Sequence, residues 1–138
     1  MNFQKFIKFS QYINTKAREP FEWGTNDCCT FTMGAHDVIW DADFLPTIYG
    51  KYSTAKEASR FYITLGDAEE VLQRQGYDKL KPGEQMQDGD ILITKMYKIF
   101  PSMGICNGKY FYGMDEEKGL VMYSKDDLNP DNIWRKTE

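Results

Sequence analysis

Phe21 to Ile39 reads FEWGTNDCCTFTMGAHDVI, and the fold turns on how this stretch is read. Asp27 is a strong helix N-cap, and Cys28, Phe31, Ala35 and Val38/Ile39 follow it at helical spacing. The spacing predicts a central helix from about Cys28 to Trp40 that begins on a cysteine. A thiol in the first turn lies near the positive end of the helix dipole, which favours the thiolate. Spacing alone also fits the commoner role of such a cysteine, a small hydrophobe at the first core position. Before the cap, Trp23 offers a packing anchor and Gly24 the freedom to take positive φ, as a tight loop entering a buried helix requires. Gly34, inside the helix, marks a place for close packing against another element.

Working outward, Phe3, Phe6, Ile7, Ser10 and Ile13 fall on one helical face, so a first helix is expected over about Asn2 to Lys16, ended by Glu19-Pro20. Asp41, Asp43 and Pro46 mark a loop leading to Tyr49-Gly50-Lys51-Tyr52. Thr54 with Glu57 forms a capping-box pattern before the stripe Ala58, Phe61, Tyr62 and Leu65, a third helix stopped by Gly66. Asp67 with Glu70 repeats it for a short fourth helix, Ala68 to Gln75, closed by Gly76. After Lys81-Pro82-Gly83 the period becomes alternating. Strands are expected at Asp90 to Tyr97, Met103 to Cys106, Lys109 to Met114, Gly119 to Tyr123 and Ile133 to Lys136, with Asn107-Gly108 as a hairpin turn. Helices followed by an antiparallel meander make a single α+β domain over 1–138, helical to about residue 80 and stranded from about 84.

A chain of 138 residues can bury a core without disulfides or metals. Its net charge of -4, with no basic run, argues against a nucleic-acid groove. Nine Tyr, nine Phe and three Trp place it among globular proteins. The opening MNFQKFIKFSQYI is interrupted by Gln4, Lys5, Lys8 and Gln11, so it reads as neither a signal peptide nor a membrane span. Three cysteines, two of them adjacent at Cys28 and Cys29, give no disulfide ladder and no zinc spacing, so reduced thiols are expected. Asp41 and Asp43, like Asp115, Glu116 and Glu117, lack the spacing of a calcium loop and read as solvated surface. No metal and no cofactor is expected. Tyr49, Tyr52, Phe100 and Trp134 are residue types that anchor interfaces, and equally types that fill cores.

Trp23-Gly24-x-x-Asp27-Cys28-x-x-Phe31, followed by Gly89-Asp90-Ile91-Leu92 and then Met103-Gly104-Ile105, resembles the NlpC-type papain-like cell-wall peptidases, and more closely their short relatives encoded among phage tail genes. The resemblance runs from Phe21 to the C-terminus. It implies a papain-like fold in which the Cys28 helix packs across a small antiparallel sheet or barrel whose first strand opens at Gly89-Asp90. It implies Cys28 as the nucleophile. In the family the next strand carries a histidine two residues before the glycine, and here Ser102 stands in that place. The family's third polar residue, which orients the imidazole, falls near Tyr112.

The one histidine, His36, lies eight residues beyond Cys28, about 12 Å along a helix, outside hydrogen-bond reach, and reads as a partly exposed residue beside Asp37. Cys29 is expected to point about 100° away from Cys28, and Cys106 to be a strand residue without a catalytic role. Without an imidazolium, Cys28 is expected to alkylate no faster than an ordinary exposed thiol. The resemblance therefore implies a tail-tip or tail-assembly component with a degenerate peptidase fold. Its partners would be other tail proteins and peptidoglycan, with no nucleic acid and no membrane span, and its place would be the virion after synthesis in a host cytoplasm. An active peptidoglycan cysteine peptidase using Cys28 is the alternative.

Overall fold

The computed structural model describes residues 1–94, 102–127 and 132–138. Helix α1 (Phe3–Ala17) starts where the Asn2 side chain accepts from the Lys5 amide, 2.9 Å away. Its buried residues are Phe9 and Ile13, whereas Phe3 is 76% exposed and Phe6 and Ile7 are also exposed. The first turn lies beside the end of the central helix, where Lys5 bonds the Val38 carbonyl and pairs with Asp41. The expected Phe3, Phe6 and Ile7 stripe is thus only partly covered.

Helix α2 (Cys28–Trp40) is buried on nearly every side, including Cys28, Cys29, Phe31, Met33, Ala35, His36 and Ile39. It packs on α1 and on two central strands. Gly34 permits the first contact: a Cβ there would lie 2.2 Å from the Tyr12 hydroxyl, which donates to the Phe31 carbonyl at 2.8 Å. A 3-10 turn at Leu45–Thr47 follows, with the Asp37 carboxylate accepting from the Phe44 and Leu45 amides.

Helix α3 (Ala55–Leu65) is capped by Thr54, which accepts from the Glu57 amide. Glu57 reaches back one residue further than the capping-box pattern predicts, bonding Ser53 rather than Thr54. Helix α4 (Ala68–Arg74) is capped by Asp67 on the Glu69 amide.

Among the described residues, six strands make one antiparallel sheet in the order β1-β6-β2-β3-β4-β5, with β1 (Tyr77–Lys79), β2 (Ile91–Thr94), β3 (Ser102–Asn107), β4 (Tyr110–Asp115), β5 (Gly119–Ser124) and β6 (Ile133–Lys136). The domain is α+β, and its sheet is open, with β1 and β5 at the edges. Strand β1 has no counterpart in the sequence reading, because three residues are too few to show a period. Residues 95–97 of the expected first strand, and Phe100, lie outside the described residues. The hairpin turn sits one residue later than expected: Asn107 pairs with Tyr110, and Gly108, at φ 68, takes the first turn position as a type II′ turn demands.

Ile91, Ile93, Met103, Ile105, Met114 and Trp134 cover α2, while Leu92, Cys106, Phe111 and Ile133 build a smaller cluster with Leu80. Tyr52 and Trp134 are therefore core residues rather than interface anchors, being 5% and 3% exposed; Tyr49 is exposed. Among the described residues no helix is long and apolar enough to cross a membrane.

Candidate functional site around Cys28

The loop before α2 is closed on one carboxylate. Asp27, 1% exposed, accepts from the Cys29 and Thr30 amides through Oδ1, at 3.0 and 2.9 Å. Its Oδ2 accepts from the Gly24 amide at 2.8 Å and from the Tyr52 hydroxyl at 2.7 Å. Thr30 completes the capping box by accepting from the Asp27 amide at 2.9 Å. Gly24 has φ 89, and a Cβ there would lie 1.8 Å from the Tyr52 carbonyl oxygen, so no side chain fits. Trp23 packs edge-on against Phe21 and donates to Glu116. In the Trp-Gly-x-x-Asp-Cys pattern, Gly24 thus makes the turn and Asp27 the cap, while Trp23 packs on Phe21.

Cys28 stands in the first turn of α2, facing β3. The Cys29 thiol, with the Met103 amide and the Ser102 hydroxyl, holds the Cys28 thiol below its usual range, while burial and the Asp27 carboxylate push the other way. Cys29 follows Cys28 on the helix, and its Sγ lies 3.9 Å from that of Cys28. Both thiols are free, and each is 7% exposed. The Cys28 hydrogen bond and burial raise Cys29 well above the ordinary thiol range. The Tyr62 hydroxyl lies within hydrogen-bonding reach of Cys29 and contacts the hydroxyl of Tyr52. Beside Cys29 opens a cavity of about 600 Å³ lined in part by Met33, Tyr62, Leu65, Val71, Ile93 and Met103.

Ser102, half-buried at the start of β3, is brought to Cys28. Tyr112 stands away from Ser102: it pairs with Ile105, three residues or about 10 Å along β3 from it. Gly104 lies close to the backbone of β4, where a Cβ would sit 3.0 Å from the Tyr112 carbonyl oxygen. Gly89, at φ 90, turns the chain into Asp90, whose buried carboxylate binds Arg135 through Nε at 2.9 Å and Nη2 at 2.8 Å. The Gly-Asp pair therefore ties the entry of β2 to β6. Cys106 is buried, and burial pushes its thiol up to about 11. Among the described residues no three His, Cys, Asp or Glu side chains converge as metal ligands.

His36 is fully buried, not partly exposed, with Nδ1 2.7 Å from the Tyr77 hydroxyl. Strand β1 brings Tyr77 over that face of α2, so the imidazole is committed to the core. Burial lowers its pKa, against an opposing contribution from Asp37 and with a further one from Lys136. The unfolded chain then binds a proton from about pH 6.5 downward that the native state resists. Stability from this site is full above that pH and declines as pH falls through it toward the lower native value. Urea unfolding of wild type should weaken over this interval with a slope that His36→Gln removes. Equal slopes in the two proteins would show that His36 does not set it.

A family described as a domain of unknown function, DUF6950, matches residues 4–135 of the chain. No curated protein matches it.

Proposed function

The chain belongs to the DUF6950 family, and from the geometry around Cys28 we propose that it is a degenerate papain-like module of the NlpC type with a structural or binding role in a tailed-phage particle. One observation carries this reading: a serine hydroxyl, not an imidazole, reaches the Cys28 sulfur from β3, while the one histidine is bonded to Tyr77 in the core. Tyr112 is too distant from Ser102 to orient a base there. The helix-borne cysteine on an antiparallel sheet is consistent with the resemblance of Trp23-Gly24-x-x-Asp27-Cys28, which also supplies the tail assignment, other tail proteins as partners and peptidoglycan as ligand.

An active peptidase is the second reading, favoured by the hydrogen bonds that lower Cys28. Loss of a positioned base costs about 10²- to 10⁴-fold, so purified wild type should release little peptide from peptidoglycan. Ser102→His should raise release only in part of that range, since nothing at Tyr112 holds the ring. Wild-type digestion abolished by Cys28→Ala would establish the second reading instead. Washed virions of the encoding phage should contain the chain by mass spectrometry, and its consistent absence would remove the tail assignment.

A further inference from the structure

We infer that the cavity beside Cys29 is a binding site for a small amine with an extended hydrocarbon body, its ammonium held at the rim by Asp67 and Glu69 and its apolar end seated among Met33, Ile48 and Ile93. Cys28 is not among the described residues that line the cavity, so this binding does not depend on the peptidase-derived reading of that thiol.

The cavity has the size of a small-molecule site: its volume of about 600 Å³ falls within the range of about 300–1,000 Å³ that such pockets span. Met33 on α2, Ile48 after the 3-10 turn, Ile93 on β2 and Met103 on β3 are buried and make its floor. Ser59, Tyr62, Ile63 and Gly66 recur at helical spacing along α3 and its C-cap, and they make one wall. Ile63 is 78% exposed and Asp67 is also exposed, so the cavity opens to solvent where α3 turns into α4. A hydrocarbon on this floor takes apolar surface out of water on both sides of the contact. The unbranched thioethers of Met33 and Met103 can adapt to its outline.

Charge at the rim selects the head group. Asp67 and Glu69 line the cavity at the start of α4, and among its described lining residues there is no Lys, Arg or His. The Asp67 carboxylate is fixed there by accepting from the Glu69 amide at 3.0 Å. Arg74, which bonds the Leu65 carbonyl at 3.4 Å, has its charge opposed by Glu70 at 3.7 Å. An ammonium entering past Ile63 is therefore attracted by two carboxylates, and an anionic head group is repelled by them.

The test is titration of the wild-type chain with phenylbutylamine, phenylbutanoate and phenylbutanol, three probes that share one hydrocarbon body, followed by methyl NMR. The amine should bind saturably and about tenfold more tightly than the carboxylate, with the alcohol between them. Shifts should centre on the methyls of Met33, Ile48 and Ile93 and leave Ile133, in the smaller cluster, unmoved. Asp67→Asn combined with Glu69→Gln keeps a residue able to cap α4, and it should remove the amine's advantage while leaving the alcohol's affinity unchanged. A carboxylate that binds as tightly as the amine overturns the inference, as do an amine advantage that survives the double substitution, shifts that reach Ile133 equally, and the lack of saturable amine binding in the millimolar range. Peptidoglycan digestion tests Cys28 separately, so failure of one reading is distinguishable from failure of the other.

Discussion

Asp27→Ala is expected to lower the stability of the native state by about 4 kcal/mol, because it strands three backbone amides and the Tyr52 hydroxyl in the interior, where each unpartnered donor costs about 1–3 kcal/mol before relaxation. Loss of an ordinary exposed N-cap costs only about 0.5–2 kcal/mol, so the excess measures the tertiary role of this carboxylate. Against a total of about 5–15 kcal/mol for a domain, that loss leaves about 1–11 kcal/mol. Asp27→Asn should fall between the two proteins. Asparagine caps a helix as well as aspartate, but its amide nitrogen must face either the helix amides or the Gly24 amide, donor against donor. Urea titration gives the values. A loss below about 1.5 kcal/mol for Asp27→Ala would mean that the carboxylate is only a cap.

Asp90→Ala is expected to cost about 2–4 kcal/mol, slightly below the range for a fully buried pair, because Arg135 is 17% exposed and keeps the Gln85 carbonyl and Glu84 as partners. The carboxylate is 2% exposed and receives Arg135 in a two-pronged grip together with the Gln87 amide. Its loss releases the turn before β2 from β6. Arg135→Lys should also destabilise, since an ammonium cannot bond both oxygens in that geometry. Salt screens exposed pairs far more than buried ones, so the cost of Asp90→Ala should change little between low and high salt. A cost that vanishes in high salt would identify the pair as a surface interaction.

Much of the fold is carried by local chemistry and was readable for that reason. Asp27 and Thr30 are three residues apart, as are Thr54 and Glu57, so both caps are visible in the sequence. The apolar period of α2 and the alternation after residue 90 likewise need only neighbouring residues. Where the period is weak or absent, local spacing carries no signal: β1 is three residues long, and the buried face of α1 is Phe9 and Ile13 because the first turn of the helix lies beside the end of α2.

The sequence by itself determined the α+β class, the helix that opens on Cys28 and its Asp27 cap. Tertiary structure decided what surrounds that thiol. Tyr52 reaches Asp27 across 25 residues, Arg135 reaches Asp90 across 45 and Tyr77 reaches His36 across 41. These partners meet because β6 inserts between β1 and β2 and because the loop after the 3-10 turn folds over Gly24. Caps and periods depend on atoms a turn apart in the chain. The polar partners of a buried thiol, carboxylate or imidazole depend on which elements the sheet order brings together, and no local spacing encodes that order.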